Sequence, residues 1–217
     1  MTEATFLRDT REGYDKIARD YAETFPTMLV DGPLGTAMLT AFAELIKGAG
    51  GGPVVEVGSG AGRVTGFLHS LGVRLSGIDL SPAMLALARR DHPELRFDEG
   101  SMTALDLPDG SLTGLLAWYS VIHVPPESHP EVFAEFHRVL APGGHLLIAF
   151  QVGDAPLRFT EAFGHTVSLD FHRLSPDRVT EGLEKAGFRM DARLVREPSG
   201  TEKVPQAYLL AHRPADG

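Results

Sequence analysis

Two acidic residues flank a glycine-rich loop in the first half of the chain, and their spacing suits recognition of a nucleoside. The loop reads Gly58-Ser59-Gly60-Ala61-Gly62, and Glu56 stands two residues before it. Glycines allow positive φ angles and let a ligand approach the backbone closely. A carboxylate at this point opposes a diphosphate and favours a cationic ligand. Asp79, further along, lies at the spacing expected of an acid that accepts both hydroxyls of a ribose. These features predict a site for a positively charged nucleoside.

The elements that must position these residues alternate between strand and helix, which is typical of an α/β fold with a mainly parallel sheet. Strands are predicted at 54–57, 73–80, 95–101, 112–124, 145–152, 188–196 and 205–213. Helices are predicted at 4–24 (closed by Pro26), 35–47, 63–70, 128–140 and 175–187, with one more beginning at Ser81-Pro82. The short link between the last two strands predicts an antiparallel hairpin. Because ligands bind beyond the carboxyl ends of strands in such sheets, the glycine loop is a ligand site by position as well as by composition.

Four blocks of the sequence resemble the class I S-adenosylmethionine-dependent methyltransferases. They read PVVEVGSGAGRVTG, SGIDLSPAMLALAR, GSMTALDLPDGSLTGLLAWYSVIH and HRVLAPGGHLLIAF, and the likeness covers about residues 10–213. The resemblance implies a Rossmann-like three-layer sandwich whose seven-stranded, mostly parallel sheet has an antiparallel last strand. It implies S-adenosyl-L-methionine as cofactor and S-adenosyl-L-homocysteine as product.

The same resemblance implies roles for individual residues around the cofactor. Glu56 would bind the methionine ammonium, Gly58, Ser59 and Gly60 form the loop that wraps the cofactor, and Asp79 would bind the ribose. Leu80 and Met84 would lie beside adenine, and Ser101 and Met102 at the adenine edge. Arg63, with Tyr14 or Tyr21, would lie near the methionine carboxylate. Trp118 and Tyr119 would line the floor of the site beneath the cofactor. Many relatives have aspartate at the position of Ser101, which weakens the expected hydrogen bond to the adenine amine, although serine also accepts.

His123 is the candidate catalytic residue, because it follows the fourth predicted strand at the edge where a methyl acceptor would sit. Imidazole is the natural base near neutral pH. The alternative is a structural histidine that hydrogen-bonds the Pro125-Pro126 loop. A base helps methylation of a hydroxyl, whereas an amine attacks as its free base, so both O- and N-methylation stay open. Aromatic residues of the 153–173 segment, an irregular or extended stretch, form either a cover over the acceptor or a small satellite core: Phe159, Phe163, Phe171 and His172.

Composition restricts the remaining possibilities. The chain has 217 residues, a net charge of −9 and no cysteine, which excludes disulfides and thiolate chemistry and disfavours nucleic-acid or anionic-membrane partners. His165 and His172 lack the tight spacing of a zinc motif, so no metal is expected. We expect a cytoplasmic enzyme with a small-molecule acceptor. We also expect an N-terminal helical lid at 1–50 and a methyltransferase core at 51–217, with a cover insertion near 153–173. The sequence makes no prediction of the oligomeric state.

Two other functions fit parts of the pattern. A nicotinamide-dependent oxidoreductase shares the sheet, but Arg63 replaces the third glycine of the dinucleotide motif and Glu56 opposes the pyrophosphate. A non-methylating protein that binds S-adenosylmethionine would keep Glu56 and Asp79 while losing the acceptor-side chemistry.

Overall fold

The computed structural model describes residues 4–25 and 32–215, in which helices cover both faces of a seven-stranded sheet. The helices are α1 Thr5–Thr24, α2 Gly32–Gly48, α3 Arg63–Ser70, α4 Pro82–Asp91, α5 His129–Val139 and α6 Pro176–Lys185. The strands are β1 Val54–Val57, β2 Leu75–Asp79, β3 Phe97–Glu99, β4 Leu112–Trp118, β5 Leu140–Gln151, β6 Pro156–Ala162, β7 His165–His172, β8 Arg189–Arg196 and β9 Gln206–His212. Pro26, the predicted end of the first helix, lies outside the described residues.

The sheet has the order β3-β2-β1-β4-β5-β9-β8. Strands β3, β2, β1, β4 and β5 run parallel, whereas the last strand, β9, pairs antiparallel with both β5 and β8. The predicted fold class and the predicted final hairpin are therefore confirmed. Strand order reverses between β1 and β4, and the carboxyl ends of these two strands form the crevice in which such sheets bind ligands.

The core lies on both faces of this sheet, and its residue pattern follows from full burial of the central strands. All four residues of β1 are buried, with Val54 in the cluster of α2 and α3 and Val55 and Val57 in the cluster of α5. This alternation places Glu56 on the same side as Val54, toward α3. Strand β1 carries few polar residues because neither face of the sheet is exposed to water at this strand.

Helices α1 and α2 occupy different places, although both belong to the predicted 1–50 lid. Helix α2 buries Leu39, Phe42 and Ile46 against the sheet. Helix α1 packs instead between α4 and β7, where Gly13 approaches so closely that a Cβ atom would lie 2.6 Å from Leu169 Cδ2. Only α1 contributes to the crevice at the sheet edge, and the division of the chain at residue 50 stays a prediction.

The fourth strand is shorter than predicted. Residues 119–124 do not continue β4, because Tyr119 adopts a positive φ of 54° and the chain turns into a short 3₁₀ helix, Val121–His123. The run of apolar residues in this segment reflects burial in the core rather than a strand. His123 therefore does not follow the strand directly but lies one turn beyond its end.

The segment at 153–173, which was predicted to be irregular or extended, is mostly extended in the structure. Strands β6 and β7 form a separate antiparallel hairpin in which Ala162 pairs with His165. The two turn residues, Phe163 and Gly164, both have positive φ, as a type I′ hairpin turn requires. A phenylalanine at the first of these positions is uncommon, which is why the sequence carries no clear turn signal here.

Candidate functional site

A cavity of about 660 Å³ opens at the carboxyl edge of β1, β2 and β4 and is covered by α1 and the β6–β7 hairpin. Its walls come from segments that are far apart in the chain, including the glycine loop, the 3₁₀ turn after β4 and the hairpin. This is the crevice that the strand order predicts. The cavity has the size of a small-molecule site.

Glu56 lies in β1, near its carboxyl end, where its side chain is buried beside a hydroxyl group. Its residue is 2% exposed and lines the cavity, and the Thr65 hydroxyl donates to its Oε2 at 2.5 Å. Burial, together with the nearby Asp79, raises the pKa of Glu56 to about 8 against the lowering effect of Thr65 and Arg63. A cation brought into the cavity beside this group would restore its ionised form.

Asp79 ends β2 and holds the glycine loop in place. Its Oδ2 accepts from the amide of Gly60 at 2.7 Å, and its Oδ1 accepts from the amide of Ser81 at 2.8 Å. Burial raises the pKa of this carboxyl, while the two amide hydrogen bonds oppose that effect. Each carboxylate oxygen has further lone pairs, so Asp79 can still accept from a pair of ligand hydroxyls.

The glycine loop needs glycine for two different reasons. At Gly58 a Cβ atom would lie 2.3 Å from the Cβ of Ser120, whose hydroxyl donates to the carbonyl of Val57 at 2.7 Å. At Gly60 the φ angle is +54° and no other atom lies within 4 Å of the Cβ position. Gly58 therefore allows β1 and β4 to meet, whereas Gly60 leaves open space beside the backbone.

Arg63 and Tyr21 form one end of the cavity. The guanidinium of Arg63 lies 5.2 Å from the centre of the Tyr21 ring, and its Nη2 donates to the Tyr21 hydroxyl at 3.3 Å. Its Nη1 donates to the carbonyl of Phe25. Helix α1 therefore binds the only cationic side chain that lines the cavity, among the described residues, apart from the titratable His123.

Tyr14 and His123 form another part of the cavity wall, beside Tyr21. The Tyr14 hydroxyl lies 2.9 Å from His123 Nε2, and His123 Nδ1 lies 3.0 Å from the carbonyl oxygen of Asp170. Because a carbonyl oxygen only accepts, Nδ1 carries the proton and Nε2 accepts from Tyr14. Burial lowers the pKa of His123 to about 4, so its imidazole is neutral at physiological pH, and burial raises the pKa of the Tyr14 phenol well above its usual value.

The part of the hairpin beside Tyr14 and His123 presents apolar side chains to the cavity. Three exposed side chains of the hairpin face the cavity, namely Leu157 and Phe159, each 38% exposed, and Phe163, 42% exposed. Phe171 connects them to the His123 ring, at centroid distances of 5.2 Å from Phe159 and 4.6 Å from His123. Apolar side chains that stay exposed around a cavity mark a binding surface.

The structure brings together every predicted site residue except one. Ser101 does not line the cavity, and its hydroxyl bonds instead to Thr103 Oγ1 at 2.7 Å. Ser59 lines the cavity, but its hydroxyl points to Gly77, whose added Cβ atom would lie 2.6 Å away. The predicted cover residue His172 is not among the lining residues. The others that line the cavity are Tyr14, Tyr21, Glu56, Gly58, Gly60, Arg63, Asp79, Leu80, Met84, Met102, Trp118, Tyr119 and His123.

The alternative role of His123, bonding to the Pro125-Pro126 loop, has a different occupant in the structure. His129 Nε2 bonds to the carbonyl of Val124 at 3.1 Å, beside that loop. The hydrogen bonds of His123 go to Tyr14 and Asp170 instead. Its position therefore suits a role at the cavity.

Several residues of the site carry no signal in the sequence. Asp15 of α1 accepts from the Ser81 hydroxyl at 2.5 Å and from the Ala83 amide at 3.1 Å, which fixes α1 to the start of α4. Leu157 and Gln151 also line the cavity. An acid on a helix surface and a leucine in an irregular segment are ordinary residues until the fold brings them to one edge.

Two features are absent from the described residues. No group of three histidine or acidic side chains within 4–25 and 32–215 is arranged to hold a metal ion. None of the helices in these ranges is both long and apolar enough to cross a membrane.

Comparison with known proteins agrees with the fold and the loop. A family model described as "Methyltransferase domain" matches residues 54–144, which run from β1 to the start of β5. Together with the sheet order and the position of the glycine loop, this match decides the family. The chain belongs to the class I S-adenosylmethionine-dependent methyltransferases.

Similar methyltransferases act on different acceptors, as their names state. A demethylmenaquinone methyltransferase of Chlorobaculum tepidum is 33% identical over 71% of this chain and 60% of its own length. An arsenite methyltransferase of Halobacterium salinarum is 31% identical over 79% of this chain and 42% of its own. The chain spans between 37% and 61% of the length of the first curated relatives it matches.

The fold extends over nearly the whole chain in at least one solved structure. A Burkholderia thailandensis 1,6-didemethyltoxoflavin-N1-methyltransferase, solved with its acceptor and S-adenosylhomocysteine, is similar over 99% of this chain and 92% of its own, with a TM-score of 0.72 and 21% identity. At this identity the likeness shows the fold alone.

Proposed function

We propose that this methyltransferase family member is an enzyme that transfers a methyl group from S-adenosylmethionine to a small-molecule acceptor, at oxygen or nitrogen. The observation that carries the proposal is the pair of carboxylates at the tips of neighbouring strands on one cavity, with Glu56 buried and Asp79 half-buried. Both have a raised pKa in the absence of a ligand, and both would be stabilised as carboxylates by the groups that the cofactor carries.

The donor set fits the cofactor at each end. Glu56 suits an ammonium group, and Arg63, with Tyr21 beside it, suits a carboxylate, so the two side chains match the two charges of an amino acid. Asp79 suits the hydroxyls of a ribose, and Leu80 and Met102 supply apolar surface for a base. The open space beside Gly60 leaves room for the chain of the ligand to pass.

When bound, S-adenosylmethionine supplies an electrophilic methyl group on a sulfonium. The contribution of the protein is to hold donor and acceptor in line and to exclude water, and such positioning is worth about 7–11 kcal/mol. Glu56 and Asp79 fix the cofactor at two points, and α1 and the β6–β7 hairpin cover the cavity. His123, neutral and bordering the cavity, is the proposed base for the acceptor proton.

A small molecule is favoured as the acceptor because the cavity is covered rather than open as a groove. The net charge of −9 also disfavours nucleic acid. The dinucleotide alternative fits less well, because Glu56 occupies the place where a pyrophosphate would need donors and Arg63 replaces the third glycine of the dinucleotide motif.

Calorimetric titration with S-adenosylhomocysteine and with NADH tests the proposal. We expect the first to bind and the second not to. Glu56→Ala should weaken S-adenosylhomocysteine binding at least tenfold, about 1.4 kcal/mol. Absence of S-adenosylhomocysteine binding by the wild-type protein would reject the function, whereas binding without methylation of any acceptor would favour the non-methylating alternative.

A further inference from the structure

The hydrogen bonds around His123 restrict how this residue can act as a base. Its Nδ1–H donates to the carbonyl of Asp170, so the one free lone pair of the ring is on Nε2. That lone pair accepts from the Tyr14 hydroxyl at 2.9 Å. An acceptor molecule in the cavity therefore meets the Tyr14 oxygen before it meets a free nitrogen of His123.

Tyr14 retains the capacity to take part. Its oxygen donates its single proton to His123 and keeps lone pairs that can accept a hydrogen bond. Both Tyr14 and His123 line the cavity. Packing also fixes the Tyr14 ring, which lies edge-on to Tyr21 at 5.9 Å and to His123 at 5.2 Å.

The surroundings of this pair point to an apolar acceptor. Phe159, Phe163 and Leu157 present exposed apolar surface to the cavity, and Phe171 continues that surface to the His123 ring. Besides Glu56 and Asp79, two more acidic residues line the cavity. Glu202 is neutralised by a bidentate ion pair with Arg196, with both distances at 2.5 Å, and Glu161 is exposed to solvent on β6.

We propose that Tyr14 is a catalytic residue that takes the proton of a hydroxyl on an apolar ring, a phenol or enol, and passes its own proton to His123. This inference rests on the proposed methyl transfer and selects oxygen over nitrogen. The acceptor oxygen forms a bond to the methyl carbon as the carbon–sulfur bond breaks and sulfur keeps the electron pair. The acceptor proton moves to Tyr14 Oη, and the Tyr14 proton moves to His123 Nε2, so one positive charge leaves sulfur and one appears on the imidazole.

The chemistry of the two possible acceptors agrees with this choice. A methylated hydroxyl is strongly acidic until it loses its proton, so even a weak base with a pKa of about 4 can accept it. A methylated amine holds its proton far more tightly and gains nothing from such a base. A protonated amine would moreover have to lie against the apolar side chains of the hairpin, where burying a charge is costly.

Binding of three matched probes tests the acceptor class without requiring turnover. The probes are 1-naphthol, naphthalene and the cation 1-naphthylmethylammonium, added to the protein saturated with S-adenosylhomocysteine and followed by the fluorescence of Trp118, the single tryptophan. We expect 1-naphthol to bind about fivefold more tightly than naphthalene, and the cation to bind most weakly. In Tyr14→Phe the naphthol and naphthalene affinities should become equal, while His69→Asn, an exposed change on α3, should leave the fivefold difference unchanged.

Equal affinities for naphthol and naphthalene in the wild-type protein, tighter binding of the cation, or no binding of any probe would overturn the inference. Each of these results leaves the proposed function intact provided that S-adenosylhomocysteine binds, so the two failures are distinguishable.

Nitrogen NMR of the histidine side chains tests the proton route independently. We expect His123 to be the neutral Nδ1–H form at about pH 7, with an Nε2 resonance that shifts in Tyr14→Phe. An Nε2–H form, or an unchanged resonance in the variant, would show that Tyr14 does not donate to His123. With a phenol as acceptor, Tyr14→Phe should slow the formation of the methylated product in a single turnover at least tenfold. The same change should leave the affinity for S-adenosylhomocysteine unchanged.

Discussion

Replacing Glu56 with glutamine should stabilise the ligand-free protein at alkaline pH and weaken cofactor binding at the same time. Burial raises the pKa of Glu56 to about 8, whereas the unfolded chain has the ordinary value of 4.5. Glu56→Gln keeps the shape of the side chain and removes the charge that must otherwise be buried above pH 8.

The direction of the pH effect follows from which state holds the proton more tightly. Between pH 4.5 and about 8 the folded protein keeps a proton that the unfolded chain has lost, so the contribution of Glu56 to stability declines as the pH rises. The full contribution is present below pH 4.5 and is lost above pH 8. The raised pKa corresponds to a loss on the order of 3–5 kcal/mol in the free energy of unfolding. Glu56→Gln should lack this decline.

Urea unfolding of both proteins without ligand, at several values from about pH 5 to pH 9, measures the effect. Glu184→Gln, an exposed change on α6, is the matched control and should follow the wild type. Calorimetry should also show release of nearly one proton per S-adenosylhomocysteine bound near pH 7, because Glu56 must ionise to pair with the ammonium. Parallel stability curves for wild type and Glu56→Gln, with no proton release, would refute the reasoning.

The other predictions concern the loop, its partner acid and the cover. Asp79→Asn should lower S-adenosylhomocysteine affinity at least tenfold by calorimetry, with the exposed Asp106→Asn unchanged; equal affinities would remove Asp79 from the site. Gly58→Ala should destabilise the protein by more than about 2 kcal/mol in urea unfolding, since its Cβ atom collides with Ser120 at a positive φ; a normal unfolding midpoint would contradict that geometry. Phe163→Asn should stabilise the hairpin turn by about 1 kcal/mol, because asparagine tolerates positive φ. The same change should weaken naphthol binding; tighter naphthol binding would show that Phe163 does not contact the probe.

The part of the site that the sequence predicts is the part built from local segments. Glu56 and the glycine loop lie within seven residues of each other, and Asp79 ends the next strand, so the parallel sheet alone brings them together. In the structure, strand alternation turns Glu56 toward α3, and Thr65 of that helix donates to it. Local spacing is sufficient here because each βα unit fixes the edge at which its loop lies.

Contacts between distant segments were beyond the sequence pattern. Tyr14 and Tyr21 lie seven residues apart on one face of α1, and the family resemblance implies that one or the other reaches the methionine carboxylate. In the structure only Tyr21 contacts Arg63, while Tyr14 contacts His123, which is 109 residues away in the chain. The sequence also did not predict the end of β4, because Tyr119 takes a left-handed conformation within an apolar run that favours a continued strand.

The two tyrosines of α1 give this helix a role that neither residue would have alone. Tyr21 contacts Arg63 and Tyr14 contacts His123, so one helix contacts both side chains. Asp15 fixes the same helix to the first turn of α4, two residues after Asp79. A ligand that draws Arg63 into new hydrogen bonds would act on a residue that bonds to α1, and α1 carries Tyr14 against His123. We therefore expect cofactor binding and acceptor chemistry to be coupled through the position of this helix.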